Sequence, residues 1–167
     1  MKRHERSGDT PAETETAENE GLLVRRIRNG TVIDHIAPGE ALNVVKILGI
    51  TGTTQEILSI ATNVPSKDMG KKDIVKLSNR ELSKEEVDRI ALISPRATIN
   101  IIRNFKVFEK KGVEIPSLIV GVVRCPNPGC ISNTNEPIES RFDVRPEGLR
   151  CRYCNWVVAK DITSYII

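Results

Sequence analysis

Aromatic side chains are scarce in this chain of 167 residues: one Trp, two Tyr and three Phe, 4% of the sequence. Platforms on which single-stranded bases could stack are therefore few. Histidine is rarer still, with only His4 and His35, and no nucleophile stands in a pattern that pairs it with a base. No G-x-x-x-x-G-K-[ST] loop is present, which removes one common cradle for a triphosphate. No apolar run approaches the ~20 residues that a membrane-crossing helix needs. The first residues lack the apolar stretch of a secretory signal. These absences argue against an enzyme and against a membrane protein, and they make a soluble cytoplasmic chain the expectation.

Cysteine is confined to four positions in two close pairs, Cys125 with Cys130 and Cys151 with Cys154. Two short loops that each offer two thiolates suit a tetrahedral zinc ion, which favours sulfur and accepts four ligands. Four protein ligands leave no open position for water or substrate, so the metal is expected to be structural. Pro126, Pro128 and Gly129 stiffen the first loop and turn both sulfurs inward. Two disulfides are the competing reading, since four cysteines allow three pairings, but such bonds are rare in reducing compartments. A redox role for Cys151 and Cys154 would need a strand before the pair and a helix opening after it, which the pattern lacks.

Charge is unevenly spread. The whole chain carries a net +3, whereas residues 1–20 hold three basic and six acidic side chains, a net −3. The remainder holds 22 basic and 16 acidic side chains, a net +6, so an anionic partner is plausible on electrostatic grounds. Residues 1–20 have almost no apolar side chains and no periodicity, and read as a disordered tail.

From Leu22 onward the pattern alternates between strands and helices. Residues 22–27 are extended in character, and Asn29-Gly30 is a turn signal. Residues 31–36 are β-branched and alternating, a strand. Leu42, Val45 and Leu48 fall at helical spacing ahead of Gly49, placed as a C-terminal cap. Residues 56–61 and 73–77 read as strands, with residues 63–72 as a loop punctuated by Pro65 and Gly70. Ser83 and Glu86 have the spacing of a capping box, and Leu82 with Val87 that of a hydrophobic staple. That helix runs to Ile93, where Pro95 stops it. Residues 97–103 form a fourth strand and residues 104–108 a fifth.

The fold class expected is α+β: a ferredoxin-like βαββαβ sheet over residues 21–111 with its helices on one face. A linker over residues 112–117 leads to a small all-β zinc domain over residues 118–167. Strands are expected there at residues 118–123, 138–144 and 156–166, with Trp156 packed in the core. About fifty residues bury little apolar surface alone, so a metal staple is physically reasonable. Arg124, Arg150 and Arg152 lie beside the cysteines. They could offset the charge of a zinc tetrathiolate or contact nucleic acid, so a zinc-ribbon nucleic-acid-binding protein is the rival reading.

The stretch Asn29-Gly30-Thr31-Val32-Ile33-Asp34-His35-Ile36 resembles the N-terminal signature of aspartate carbamoyltransferase regulatory chains. The resemblance continues through residues 63–73, through Ala97-Thr98-Ile99-Asn100, and through both cysteine loops with Ile131-Ser132-Asn133, in the family's order. It implies a chain without an active site that dimerises and bridges catalytic trimers in pyrimidine biosynthesis, with no nucleic-acid or membrane partner. It implies an N-terminal domain that binds CTP and ATP, with UTP sometimes acting too, and a zinc domain that docks on the catalytic chain, with residues 131–139 the guessed contact loop. By position in the motifs, Lys110 corresponds to the family's phosphate-binding lysine and Lys76 to an effector lysine near the ribose. Asp34 and His35 correspond to the pair that meets ribose and phosphate, and Lys72 to a further basic position. Val24, Arg25 and Ile27 fall in the segment whose backbone reads the base. Val32, Asn100, Ile102 and Val107 match positions in the effector site. Phe105 stands where other members have tyrosine, which removes a hydroxyl, and Arg25 stands where some members are acidic. Outside such motifs, an isolated lysine on a strand is far more often a solvated side chain than a ligand.

Overall fold

The structure, a computed structural model, describes residues 25–50, 52 and 55–167. The tail at residues 1–20 and the expected extended stretch at residues 22–24 lie outside the described residues. The first unit runs β1 (Gly30–Ile36), α1 (Ala41–Ile47), β2 (Leu58–Ser66), β3 (Gly70–Ser78), α2 (Lys84–Ile93), β4 (Thr98–Arg103) and β5 (Lys106–Gly112). Its sheet has the order β2-β3-β1-β4-β5, with every neighbouring pair antiparallel. This is the expected βαββαβ arrangement, extended by one strand at the β4 edge.

Alternation along the strands sends one set of side chains under the helices. Ile33, Ile36, Val75, Leu77 and Ile99 pack there with Ala41, Val44 and Ile47 of α1 and Ile90 of α2. Gly30 opens β1 at φ 136°, and a Cβ there would meet the Leu77 carbonyl oxygen at 1.9 Å, so close strand approach requires glycine. Helix α2 begins with the expected capping box: Glu86 N–H donates to Ser83 Oγ at 3.3 Å, and Ser83 N–H donates to the Glu86 carboxylate at 2.8 Å. Helix α1 lacks a side-chain cap from Glu40. The buried Asp73 of β3 serves it from outside, accepting from Gly39 N–H (2.9 Å) and Ala41 N–H (3.1 Å). The same carboxylate accepts from Asn63 N–H at 2.9 Å, where φ is 55° and the β2–β3 register shifts.

Two local expectations are corrected here. Residues 63–72 are not a loop: β2 continues to Ser66 and β3 begins at Gly70. The β4–β5 connection is a two-residue turn at Asn104 (φ 50°) and Phe105 (φ 64°), so β5 starts at Lys106 and reaches Gly112. Positive φ at both central positions suits the twist of a tight hairpin.

The second unit is a four-stranded antiparallel sheet, β6 (Leu118–Val120), β7 (Arg141–Arg145), β8 (Gly148–Cys151) and β9 (Val157–Val158), in sequence order. Phe142, Leu149, Val123 and Val158 form its core with three of the cysteines. Of the strand expected at residues 156–166 only β9 is present; a 3-10 turn over Ile162–Tyr165 follows. Trp156 is 49% exposed rather than in the core, because Asn155 at φ 61° turns the chain just before it. The two units touch. Leu92 of α2 packs on the second core and Ile166 on the first. Within the second unit, Arg124 N–H donates to the Tyr165 carbonyl at 2.7 Å and Ile167 N–H to the Val122 carbonyl at 2.9 Å, which fixes the C-terminal turn.

Candidate functional site

The four cysteines converge. Their sulfur atoms all lie within 4.8 Å of one another, with Cys125 and Cys154 at 3.5 Å and Cys130 and Cys151 at 3.7 Å. A disulfide needs about 2.05 Å, and all four thiols are free. A tetrahedron of sulfurs about 2.3 Å from a central zinc has edges of roughly 3.8 Å, so the spacing fits a tetrathiolate metal centre. Local turns set it. Asn133 Nδ2 donates to the carbonyls of Cys125 and Asn127, both at 2.7 Å. Cys151 N–H donates to the Trp156 carbonyl at 2.8 Å and Asn155 N–H to the Cys151 carbonyl at 2.9 Å. Burial pushes the Cys125 and Cys151 thiols up, the neighbouring sulfurs adding to it and backbone N–H groups opposing it. Burial also acts on Cys154, but the Trp156 backbone and the Asn127 side chain outweigh it and bring that thiol down to about 7. Thiolates crowded in so dry a pocket need a cation to be stable.

The second cluster occupies the sheet face away from the helices. Asp73, Val75 and Leu77 point into the core, so Lys72, Ile74 and Lys76 point the other way. Register then places five residues in one row across all five strands: Ser59, Lys76, Val32, Asn100 and Lys110. Three strand spacings separate Lys76 from Lys110, roughly 14 Å at the backbone, a span that their long side chains can narrow. Asn100 is nearly buried, with Nδ2 donating to the Val32 carbonyl at 3.3 Å. Ile102 and its cross-strand partner Val107 lie one step along the face.

At the β1 end of this face the backbone bulges. His35 adopts φ 56°, and its N–H donates to Asp34 Oδ1 at 2.6 Å. The Asp34 carboxylate also takes Lys72 Nζ, at 2.8 Å and 3.0 Å from its two oxygens. The His35 ring stands 3.4 Å from Thr98 Oγ1 and 3.6 Å from both the Asp34 and Asp68 carboxylates. At the opposite end, Lys76 Nζ donates to the Arg25 carbonyl at 2.7 Å. Burial lowers the Lys76 pKa; Asp34 opposes that shift and Arg26 adds to it. Arg25, Ile27 and Phe105 line an open groove of about 600 Å³ beside this end, together with Arg26, Ile57 and Ser59.

Thus Val32, Asp34, His35, Lys72, Lys76, Asn100, Ile102, Val107 and Lys110 share one face, and Arg25, Ile27 and Phe105 border the adjoining groove. Val24 lies outside the described residues. Sequence reasoning missed Thr98, Arg26 and Asp68. Thr98 was readable, being two residues before Asn100 on an alternating strand. Arg26 was readable only as one of several cations. Asp68 reaches His35 from the β2–β3 turn; it lies within the motif at residues 63–73, but its pairing with His35 depends on the fold.

Comparison with known proteins matches two family models in order. One is described as aspartate carbamoyltransferase regulatory chain, allosteric domain, over residues 22–114, and the other as its metal binding domain, over residues 117–164. Among similar curated chains, one from Methanoregula boonei is 75% identical over 159 residues, covering 93% of this chain and 96% of the relative. One from Methanosphaerula palustris is 66% identical over 154 residues (92% and 99%), and one from Methanoculleus marisnigri 70% identical over 147 residues (88% and 95%). All three are named aspartate carbamoyltransferase regulatory chain.

Proposed function

This chain belongs to the family of aspartate carbamoyltransferase regulatory chains, and from that premise we propose that its first domain binds nucleoside triphosphates on the face carrying Lys76 and Lys110. The observation that carries this reading is the in-register row Lys76–Val32–Asn100–Lys110, with Asp34, His35 and Lys72 gathered beside it. The two lysines supply charge-assisted donors for phosphate. The Asp34 carboxylate can accept from ribose hydroxyls, and His35 can donate to a phosphate oxygen. Main-chain groups at residues 24–27, beside the groove, can meet different base edges, so CTP and ATP, and UTP with them, would compete for one site.

The four-thiolate centre holds zinc in this reading, which fits a donor set made only of sulfur. The domain it staples docks on the catalytic chain, presenting the exposed Ile131, Tyr153 and Trp156 near the cysteine loops. The chain has no catalytic role: effectors act through different affinities for two states of the assembled enzyme. Helix α2 lies between the two cores, and its Leu92 contact with the second is the direct mechanical link.

A second copy of the chain would pair at the outer edge of β2. That edge strand runs nine residues without a charged side chain, beside Leu42 (68% exposed) and Ile57 (70% exposed). The opposite edge, β5, carries Lys106, Glu109, Lys110 and Lys111, the kind of charged blunting that discourages strand pairing. The functional reading is tested by titrating CTP and ATP calorimetrically into the chain alone and into its complex with catalytic trimers. Mutually exclusive binding, with different affinities in the two quaternary states, is expected. Absence of triphosphate binding would overturn the proposal.

A further inference from the structure

The groove beside the Lys76 end of the row is lined by Arg25, Arg26 and Arg28 together with Phe105, and these cations differ in how they are held. Among the described residues only Arg26 has its side chain anchored. Its Nη2 donates to the Phe105 carbonyl at 2.8 Å, and its guanidinium carbon stands 6.0 Å from the centre of the Phe105 ring. Arg25 and Arg28 engage through their backbones instead: the Arg25 carbonyl accepts from Lys76 Nζ at 2.7 Å, and the Arg28 carbonyl from Phe105 N–H at 2.9 Å. The turn that carries Phe105 is itself tied down, since Asn104 N–H donates to Asn29 Oδ1 at 3.1 Å. The Arg26 fork is therefore preorganised, whereas the other two guanidinium groups would lose side-chain freedom on meeting a ligand. A guanidinium has several N–H donors and no acceptor, so the contact to Phe105 leaves donors over for a ligand in the groove. The Phe105 ring beside it is 47% exposed, a surface on which a base can stack.

A fork made only of donors discriminates among bases. Guanine presents O6 and N7 as adjacent acceptors, the edge that arginine meets bidentately. Cytosine presents O2 and N3 as another adjacent pair. Adenine sets its N6 amino group beside N7, so donor faces donor and one of the two contacts is left without a partner. Uracil places N3–H between O2 and O4 and offers the fork one acceptor at a time. We infer that Arg26 is the base-selecting residue of this site, favouring guanine and cytosine nucleotides over adenine nucleotides and making GTP a ligand of the chain. The inference rests on the effector-site reading and adds a base preference to it. Lysine at this position would not serve, because a point charge carries no matched pair of donors.

The test uses the full chain, unaltered and as Arg26→Lys and Arg26→Ala, with GTP, CTP, ATP and 7-deaza-GTP titrated calorimetrically into each. The unaltered chain is expected to bind GTP and CTP about five- to tenfold more tightly than ATP. 7-Deaza-GTP lacks the N7 acceptor and should fall to the level of ATP. Arg26→Lys keeps the charge, so ATP affinity should stay within about twofold while the GTP-to-ATP ratio approaches unity. Arg26→Ala should level the ratio too, with every triphosphate held more weakly. A residue acting through charge alone would shift all triphosphates together and leave the ratio where it was. ATP bound as tightly as GTP by the unaltered chain would overturn the inference while leaving the effector site standing. So would a preference that survives in Arg26→Lys, or 7-deaza-GTP bound as tightly as GTP. The 7-deaza-GTP comparison is made on the unaltered chain, so it decides the matter even if a substitution loosens the Phe105 turn. Failure of the unaltered chain to bind any triphosphate would overturn the effector reading and this inference with it.

Discussion

Single side chains on the sheet face differ in how much they contribute, because their exposure differs. Lys110 is exposed, so a phosphate contact there is partly screened by water. Lys110→Ala is expected to cost about 1 kcal/mol, or roughly fivefold, in CTP affinity. Lys76 is half-buried, and Lys76→Ala should cost about 2 kcal/mol, roughly thirtyfold, in the same calorimetric titration. Lys76 also sets a pH dependence. Burial holds its pKa below the ordinary value of 10.5, with Asp34 opposing and Arg26 reinforcing. A bound phosphate favours the charged form, so binding takes up a proton in the window between the depressed pKa and its raised value in the complex. CTP affinity is therefore expected to fall as pH rises through that window, which opens below the usual lysine value, and Lys76→Arg should flatten the profile. Affinity that rises with pH there would contradict the role of Lys76. Asp73 is different in kind. It touches no effector position, but its carboxylate accepts three backbone N–H groups that fix α1 and the β2–β3 bulge. Asp73→Ala leaves the buried Ala41 N–H unmet and unties the more exposed Gly39 and Asn63 N–H groups, and should lower unfolding free energy by about 2 kcal/mol in a urea titration.

At the scale of elements, the sequence was legible where local chemistry and tertiary demand agreed. Ser83 and Glu86 announced the start of α2 because both partners of the capping box lie within one turn. Ser83→Ala is expected to cost about 1 kcal/mol of stability, readable as a lower thermal midpoint. The strands β1 and β4 were readable from β-branched alternation. Residues 63–72 were not, because β2 is an edge strand. Its outer half is largely exposed, so it bears no apolar alternation, and Pro65 suggested a break where an edge position tolerates proline. Strand β8 was overlooked because four residues with only Leu149 and Cys151 buried are too short to show a period. Trp156 misled through its usual burial; the left-handed turn at Asn155 carries it to the surface. Of the candidate site, the face was legible through motif position, but its unity came only with the register that aligns Lys76, Val32, Asn100 and Lys110 across four strands.

At the scale of the whole molecule, two cores meet along α2 and the C-terminal turn, and only one of them is stapled by sulfur. Removing the metal with a strong chelator is expected to unfold the β6–β9 sheet while the five-stranded sheet keeps its own core. Circular dichroism would then show partial loss of structure, and binding to catalytic trimers would vanish while CTP binding persisted. Helix α2 ties each core to the other through Ile90 and Leu92, so in the proposed reading a change at the nucleotide face reaches the second domain without a long path. Among the described residues no helix is long and apolar enough to cross a membrane. In the proposed reading, charge on one sheet face of this chain controls a separate catalytic partner. The most direct test of that reading is the aspartate saturation curve of catalytic trimers assembled with this chain or with Lys110→Ala, each with and without CTP. CTP is expected to displace the curve for the unaltered chain, and the displacement at a fixed CTP concentration should be much reduced for the variant. An identical CTP response from both assemblies would contradict it.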